Sequence, residues 1–591
     1  MAGKKMRAPA LCPESIALMD DDVLRDRLGV LSLGEQTALF LRSDWLDRVK
    51  IVRNSELAAE VVASVPDEEI LLTFKGAGEE AGLPLIGLAT DDQLRFILDV
   101  DLWTQHAIDE ERVVKWLGYL VSCGEDVIAG VARACDMELV VVFLSKLIRL
   151  IPFDEAVELG EEMTSIMPDE AFVVQSRVPE EIPSVRLLLT ALRNEDRDLY
   201  SDLRYSTYRA IEAEIEDDAY RWRNSRLEEK GILEYVEASR IYERMPESEI
   251  KGLAGFGGRP YYRRPGYMQV PAFYPLRLSA TRPLYYELLE ATGDEELKRR
   301  ITGDISYITN RLLVAGGQGI GDVSATGDTL GLLFSYANIG LLRLAEGAGR
   351  EPLEVLEAVS AADLFRIGFG LVNDLHKRAV ELVEAAKSLH GREDTDFFEE
   401  YHGDVLRGLS DKRPRHYVPG ESGCDEYRHF MTPEEVATAD RVMAQMAVAA
   451  EACFDKLAIA PSSGSDAAKL KSAALGIDCV HVGNLLTTVY AHFATGGNPG
   501  IAPLTDRELD AFLETAFAEG KSRSRSIDAA VADKFISWLK HKTGFRGHKW
   551  AILEAYFMER LELLEEELSQ ISSAADTDPL LVESVLLAKR H

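Results

Sequence analysis

Along most of the chain, apolar residues recur at intervals of three and four inside polar runs, and sustained apolar–polar alternation is almost absent. The first spacing gathers side chains on one stripe of a helix, whereas a half-buried strand needs a period of two. The fold expected is therefore all-α. At 591 residues the chain is well beyond the roughly 250–300 at which one hydrophobic core stops growing, so a multi-domain helical array is expected. Composition divides it into a stacked-helix, solenoid-like region (1–180), charged connecting helices (181–250) and a Gly/Pro/Arg/Tyr-rich hinge (251–284). Beyond these lie a helical module (285–390), an irregular connection (391–431) and a C-terminal helical region (432–591).

Within residues 55–180 one local pattern recurs: an aspartate, an acid or amide in the following turn, then several apolar residues. It reads Pro66-Asp67-Glu68-Glu69-Ile70, Thr90-Asp91-Asp92-Gln93-Leu94, Asp136-Met137-Glu138-Leu139 and, degenerately, Pro168-Asp169-Glu170-Ala171-Phe172. A capping oxygen satisfies N–H groups that have no partner inside the helix, and first-turn acids favour the positive end of the helix dipole. Each instance therefore marks a helix start. Short helices begun this way, none able to bury its apolar face alone, are expected to stack on one another. The pattern resembles the cytosolic N-terminal domain of MgtE-type magnesium transporters, and that resemblance implies a helical superhelix that senses divalent cations. The most apolar run, Leu139 to Phe153, is interrupted by Lys146 and Arg149 and falls short of the roughly 20 residues that span a bilayer. It is expected to be a buried core helix.

Residues 216–245, EDDAYRWRNSRLEEKGILEYVEASRIYERM, place Asp217 four before Arg221 and Trp222 four before Arg226. This is the spacing of an ion pair and a cation–π contact on one helix face, each contributing little when exposed. That stretch, with LATDDQLRFILDVDLW (88–103), DLFRIGFGLVNDL (363–375) and DEYRHFMTPEEV (425–436), resembles a bacterial family defined only as a domain of unknown function. The resemblance covers most of the chain and implies a cytosolic bacterial protein. It carries no reaction, cofactor or site.

Motifs that carry chemistry are scarce. The glycine-rich Gly316-Gly317-Gln318-Gly319-Ile320-Gly321-Asp322 lacks the preceding strand of a phosphate-binding loop and reads as a turn between helices. His390, His402, Asp404, His416, Cys424, Asp425 and His429 are all metal-binding types, but no compact ligand spacing joins them. Surface or hydrogen-bonded histidines are expected there, with no metal and no cofactor. His481 and His492 are eleven apart on one helix, roughly 16 Å along its axis, too far to share an ion. The six cysteines show no CxxC pair, which points to a reducing compartment. The N-terminus has no continuous apolar stretch and is not expected to act as a secretory signal.

With 66 basic against 100 acidic residues the formal charge is −34, which opposes general nucleic-acid binding. Two basic islands stand against this background. Residues 251–282 carry Lys251, Arg259, Arg263, Arg264, Arg277 and Arg282 without an acid, interleaved with tyrosine and phenylalanine; residues 521–549 carry eight basic residues against Asp528 and Asp533. Both islands are expected to pair with the protein's own acidic helices, and Arg259, Tyr261, Tyr262, Arg263, Arg264 and Tyr267 are the candidate interaction or inter-domain docking residues. The function expected is that of a non-catalytic helical scaffold in the cytoplasm with protein partners, no membrane span and no nucleic acid. The alternatives are an enzyme with its site in a cleft between the halves and a divalent-cation-sensing regulator.

Overall fold

A computed structural model describes residues 11, 13–104, 107–159, 166, 171–255, 261–263, 276–390, 397–420, 426–459, 469–470, 473–474, 480–519, 525–578 and 581–589. The chain forms two compact units, one of Met1–Ala337 with Gly347–Arg366 and one of Asn338–Glu346 with Ile367–His591. Both are predominantly α-helical. Among the described residues the sheets are four two-stranded antiparallel ladders: β1 (Trp103–Thr104) with β2 (Ala107–Ile108), β3 (Ile148–Pro152) with β4 (Phe172–Ser176), β5 (His416–Val418) with β6 (Glu426–Arg428), and β7 (Phe517–Glu519) with β8 (Arg525–Ile527). No helix of the described residues is long and apolar enough to cross a membrane.

The first unit includes α1 (Leu33–Arg42), α2 (Trp45–Asn54), α3 (Asp67–Ala77), α4 (Asp91–Asp101), α5 (Met137–Leu147), α6 (Arg197–Arg209), α7 (Glu212–Glu229), α8 (Tyr235–Ser239) and α9 (Glu295–Ala315). The expected starts at Asp67, Asp91 and Met137 are real, yet only Thr90 caps with its side chain, in a capping box with Gln93. Gln93 does a second job. Its Nε2 donates to the Val62 and Val65 carbonyls, both at 2.8 Å, at the end of an earlier helix. Gln36 in α1 likewise donates to the Leu28 and Leu31 carbonyls at 2.9 and 3.2 Å. Carbonyls at a helix end have no intrahelical partner, so each amide joins one helix to the last turn of another.

The acids at the other starts turn to cations of α7 and its C-terminal end. Arg226 takes both carboxylate oxygens of the buried Asp99, at 2.7 and 2.8 Å, and also bonds Asp136 at the head of α5. Arg223 donates to the Asp99 carbonyl at 2.5 Å and lies over the Trp103 ring. Lys230 donates to Asp67 at 2.6 Å and Glu68 at 3.2 Å, with Phe96 beneath it. Glu69, the third acid of α3, pairs with the buried Arg48 of α2 at 2.6 Å. Burial raises the Asp99 carboxyl above its ordinary pKa despite Arg226, so the pair is held inside at a desolvation cost.

Three expectations are corrected. The run Leu139–Phe153 is buried, but helix α5 ends at Leu147 and the chain continues as strand β3. Phe172 begins strand β4 and no helix; Pro168, Asp169 and Glu170 lie outside the described residues. Asp217 and Arg221 do pair at 2.5 Å on an exposed face, but Arg226 goes to Asp99 and Asp136 while Trp222 stays 54% exposed.

In the second unit α10 (Glu400–Ser410), α11 (Pro433–Glu451), α12 (Val482–Ala494), α13 (Asp506–Ala516), α14 (Ala529–Thr543) and α15 (Gly547–Leu568) surround an aromatic core. Tyr490 meets Phe512, Phe535 and Phe557 with ring centroids 5.7, 5.2 and 5.8 Å apart. These rings bury large apolar areas and add edge-to-face attraction.

Removing one partner of a buried ion pair leaves the other uncompensated, which costs about 3–5 kcal/mol. Arg226→Met is therefore expected to destabilise the chain by about that much in chemical denaturation, and adding Asp99→Asn to recover more than half of the loss.

Candidate functional site

The glycine-rich 316–322 segment is an inter-helix turn, as its flanks imply. It joins α9 to the helix Val323–Ala348, with Gly317 at φ 66° and Asp322 accepting from the Ala325 N–H at 2.9 Å. Of the candidate docking residues, Arg259, Arg264 and Tyr267 lie outside the described residues, as does the side chain of Arg263. Tyr261 is half-buried and packs edge-on against Tyr262, their ring centroids 5.0 Å apart. Tyr262 is 1% exposed and docks inside the first unit. Its hydroxyl donates to Asp304 of α9 at 2.5 Å, and the Ala361 N–H reaches both Asp304 Oδ2 and the Tyr262 hydroxyl, at 2.9 and 2.8 Å. Arg300 donates to the Tyr262 carbonyl at 2.6 Å. Burial pushes the Asp304 carboxyl from 3.8 up to about 6, against the lowering effect of Tyr262 and the Ala361 N–H.

The described cations of the basic islands mostly do not meet carboxylates. Arg277 donates to the Arg42 and Ser43 carbonyls at 2.9 and 2.6 Å, and Arg282 lies over the Tyr286 ring. In the second island Lys549 pairs with Glu451 and Lys540 lies over Trp550. Lys549 thus meets a helical carboxylate as expected, whereas for Arg277, Arg282 and Lys540 the expected pairing with acidic helices is corrected, because backbone carbonyls and aromatic faces take these cations.

A polar cluster that no local motif announces lies inside the second unit. Glu399, immediately before α10, accepts a hydrogen bond from the Tyr556 hydroxyl, and Arg560 Nη1 stands 3.4 Å from the same Oε1. His481 Nδ1 is 3.9 Å from Oε1 and His402 Nδ1 is 3.7 Å from Oε2, both beyond hydrogen-bond reach. Gly483 makes the approach possible, because a Cβ there would stand 2.1 Å from Glu399 Oε1. His481 accepts the Asn484 N–H on Nδ1 at 3.2 Å and caps α12. Beside the cluster α11 passes into a π-helical turn, Ala452–Lys456, a distortion frequent at functional sites.

Burial lowers both imidazoles below their ordinary pKa. Burial alone would raise Glu399, yet its carboxyl is held below its ordinary pKa by the neighbouring His481, Arg560 and His402 charges and by the Tyr556 hydroxyl. Burial and the Glu399 charge push the Cys453 thiol up to about 12, so it is not a thiolate nucleophile. His402 corrects the expectation of surface or hydrogen-bonded histidines. It is 3% exposed with neither ring nitrogen hydrogen-bonded; the Gln445 amide faces it outside hydrogen-bond geometry and donates to Glu559 at 2.9 Å. His416 packs at a tilt against Phe430, and Asp404 is bound by Arg407 and Tyr427. Cys424, Asp425 and the His390 side chain lie outside the described residues. Among the described residues no group of three or more histidine, cysteine, aspartate or glutamate side chains has the arrangement to hold a metal ion.

The first unit also encloses an apolar cavity of about 30 Å³ lined by residues including Leu98, Leu120, Cys135, Phe143 and Leu188. An engineered cavity that binds benzene measures roughly 150 Å³, so this one is a packing void. On the surface, Tyr205 and Tyr208 of α6 pack on Phe172 at 5.5 and 5.2 Å yet remain 47% and 41% exposed. Ile211, Trp222, Tyr235 and Val236 follow at 61%, 54%, 57% and 74%.

Two outcomes test this geometry. Asp304 binds its proton more tightly folded than unfolded, so its contribution to stability falls as pH rises from about 4 through 6. The urea midpoint of the wild type, relative to Asp304→Asn, is expected to drop across that window. Gly483→Ala drives a methyl into Glu399, and a loss of about 1–3 kcal/mol is expected in the same assay.

No curated protein and no solved structure matches the chain. The comparisons thus lend no support to the likeness between its N-terminal region and magnesium transporters. A family model does match, over residues 26–588, nearly the whole chain, and the protein belongs to that family, a family of unknown function designated DUF6178.

Proposed function

We propose that the protein is a non-catalytic helical scaffold of the cytoplasm that works by binding other proteins. The observation that carries this reading is the concentration of exposed aromatic residues from α6 to α8: Tyr205, Tyr208, Trp222 and Tyr235, with Ile211 and Val236 between and beside them. Single exposed apolar residues are ordinary, but tyrosine and tryptophan are the side chains that protein interfaces concentrate and that dominate their affinity. The underside of α7 holds Trp222 in place, since its Arg223 and Arg226 are locked onto Asp99 and Asp136, and Tyr205 and Tyr208 rest on Phe172.

Divalent-cation sensing is the weaker alternative. Asp67, Glu68, Glu69, Asp99 and Asp136, the acids such a sensor would use, already face Lys230, Arg48 or Arg226. An enzyme has one observation in its favour, the buried Glu399, its carboxyl held low, beside the buried His402 and His481, residue types suited to acid–base chemistry.

A photo-reactive amino acid placed at Tyr208 or Trp222 in the native host is expected to give discrete protein adducts, with none from Leu353, an exposed position elsewhere in the first unit. Adducts absent from Tyr208 and Trp222, or equal at Leu353, would contradict the scaffold reading. Magnesium is expected to shift the melting temperature no more than matched ionic strength does, whereas a specific ligand at about 100 times its Kd would add about 2.7 kcal/mol.

A further inference from the structure

The turn between α14 and α15 is a basic surface on an acidic protein. Lys534, Lys540, His541, Lys542, Arg546 and His548 are all exposed, and no acid occurs between Asp533 and Glu554. Lys540 lies over the Trp550 ring. Among the described residues, the side chains of Lys534, His541, Lys542, Arg546 and His548 make no ion pair or hydrogen bond, although the chain has 34 more acidic than basic residues.

Helix electrostatics account for only part of this. Lys540, His541 and Lys542 occupy the last turn of α14, where cations favour the negative end of the dipole. Arg546 and His548 sit at the opposite kind of terminus. Arg546 is the residue before α15, where positive charge is penalised, and makes no side-chain cap, and His548 is in the first turn. Gly544, in the left-handed conformation at φ 70°, turns the chain so sharply that both sets of cations fall within a few residues of one another.

We infer that this surface docks an acidic segment of a partner protein. The inference rests on the protein-binding reading above but uses a different surface. The chemistry disfavours nucleic acid. Arginine, the side chain that grips phosphate in a bidentate fork, appears once among the six exposed groups. The neighbouring Phe545 and Trp550 are each 6% exposed and offer no open face on which bases stack. A polyanion longer than the patch would also meet the repulsion of the remaining acidic surface, which a short acidic peptide avoids.

The test uses the full-length chain and a fluorescent peptide of about twelve glutamates, beside a single-stranded oligonucleotide, a duplex and phosphatidylserine vesicles. The peptide is expected to bind, to lose about tenfold in affinity between about 50 and 200 mM salt, and to lose about tenfold more in Lys542→Glu/Arg546→Glu/His548→Glu. These side chains make no ion pair or hydrogen bond, and the dipole loss of Lys542→Glu at the end of α14 is offset by the gain of Arg546→Glu and His548→Glu at the start of α15, so the variant is expected to keep close to the wild-type urea midpoint; Lys542→Gln/Arg546→Gln, with smaller changes, is expected to fall between in affinity. Absence of peptide binding at low salt, equal binding by the charge-reversed variant, or tighter variant-sensitive binding of nucleic acid or vesicles would each overturn the proposal. If adducts at Trp222 persist while peptide binding fails, this surface is rejected and the scaffold reading stands. Peptide binding as expected without adducts at Trp222 supports this surface and rejects the aromatic one.

Discussion

The contact between Arg226 and Asp99 governs the first unit, because one guanidinium there neutralises two carboxylates from different helices. Asp99 lies near the C-terminal end of α4, where the helix dipole disfavours negative charge, and Asp136 heads α5 without capping it. The Asp99 position does not suit an unpaired acid, whereas Asp136 sits at the positive end of its helix dipole. With Arg226 bridging them and Arg223 holding the Asp99 carbonyl, α7 acts as a strap that fixes the spacing of α4 and α5. Lys230 extends the strap to α3 through Asp67 and Glu68. An acidic helical array is thereby held by a few cations in partly buried positions, where screening by salt is weak.

The same economy is at work at two other buried carboxylates. Asp304 shares the Tyr262 hydroxyl and the Ala361 N–H, and Glu399 shares Tyr556 and Arg560. Each burial is tolerable because the charged form is met by hydrogen-bond donors or a counter-charge. The two differ in outcome. Asp304 has no cation beside it among the described residues and is pushed up to about 6, whereas the charges of His481, Arg560 and His402, with the Tyr556 hydroxyl, hold Glu399 low. His402 departs from this, a buried ring whose nitrogens find no hydrogen-bond partner, as does the buried Tyr490 hydroxyl in the same unit.

Much of the fold was legible in the sequence because helical spacing and helix starts are local signals. The all-α class, the starts at Asp67, Asp91 and Met137, and the turn at Gly316–Asp322 all follow from residues within a few positions of one another. The β3–β4 ladder was missed although a signal existed. Ile148-Arg149-Leu150-Ile151 and Phe172-Val173-Val174 are rich in β-branched and aromatic residues, and an apolar run is ambiguous until its pairing partner is known. The Glu399 cluster had no such signal, since Glu399, His402, His481, Tyr556 and Arg560 come from three distant segments and meet only after the helices pack. Trp222 and Arg226 show the converse. Their spacing permits a local contact, and a buried carboxylate from another helix outcompetes it.

Native-state hydrogen exchange in Arg226→Met tests the strap most directly. If one guanidinium fixes α4 and α5 together, the amides of Asp91–Asp101 and Met137–Leu147 should lose protection jointly, while those of α15 in the second unit keep theirs. Unchanged protection in both helices, or loss confined to the turn around residue 226, would contradict it.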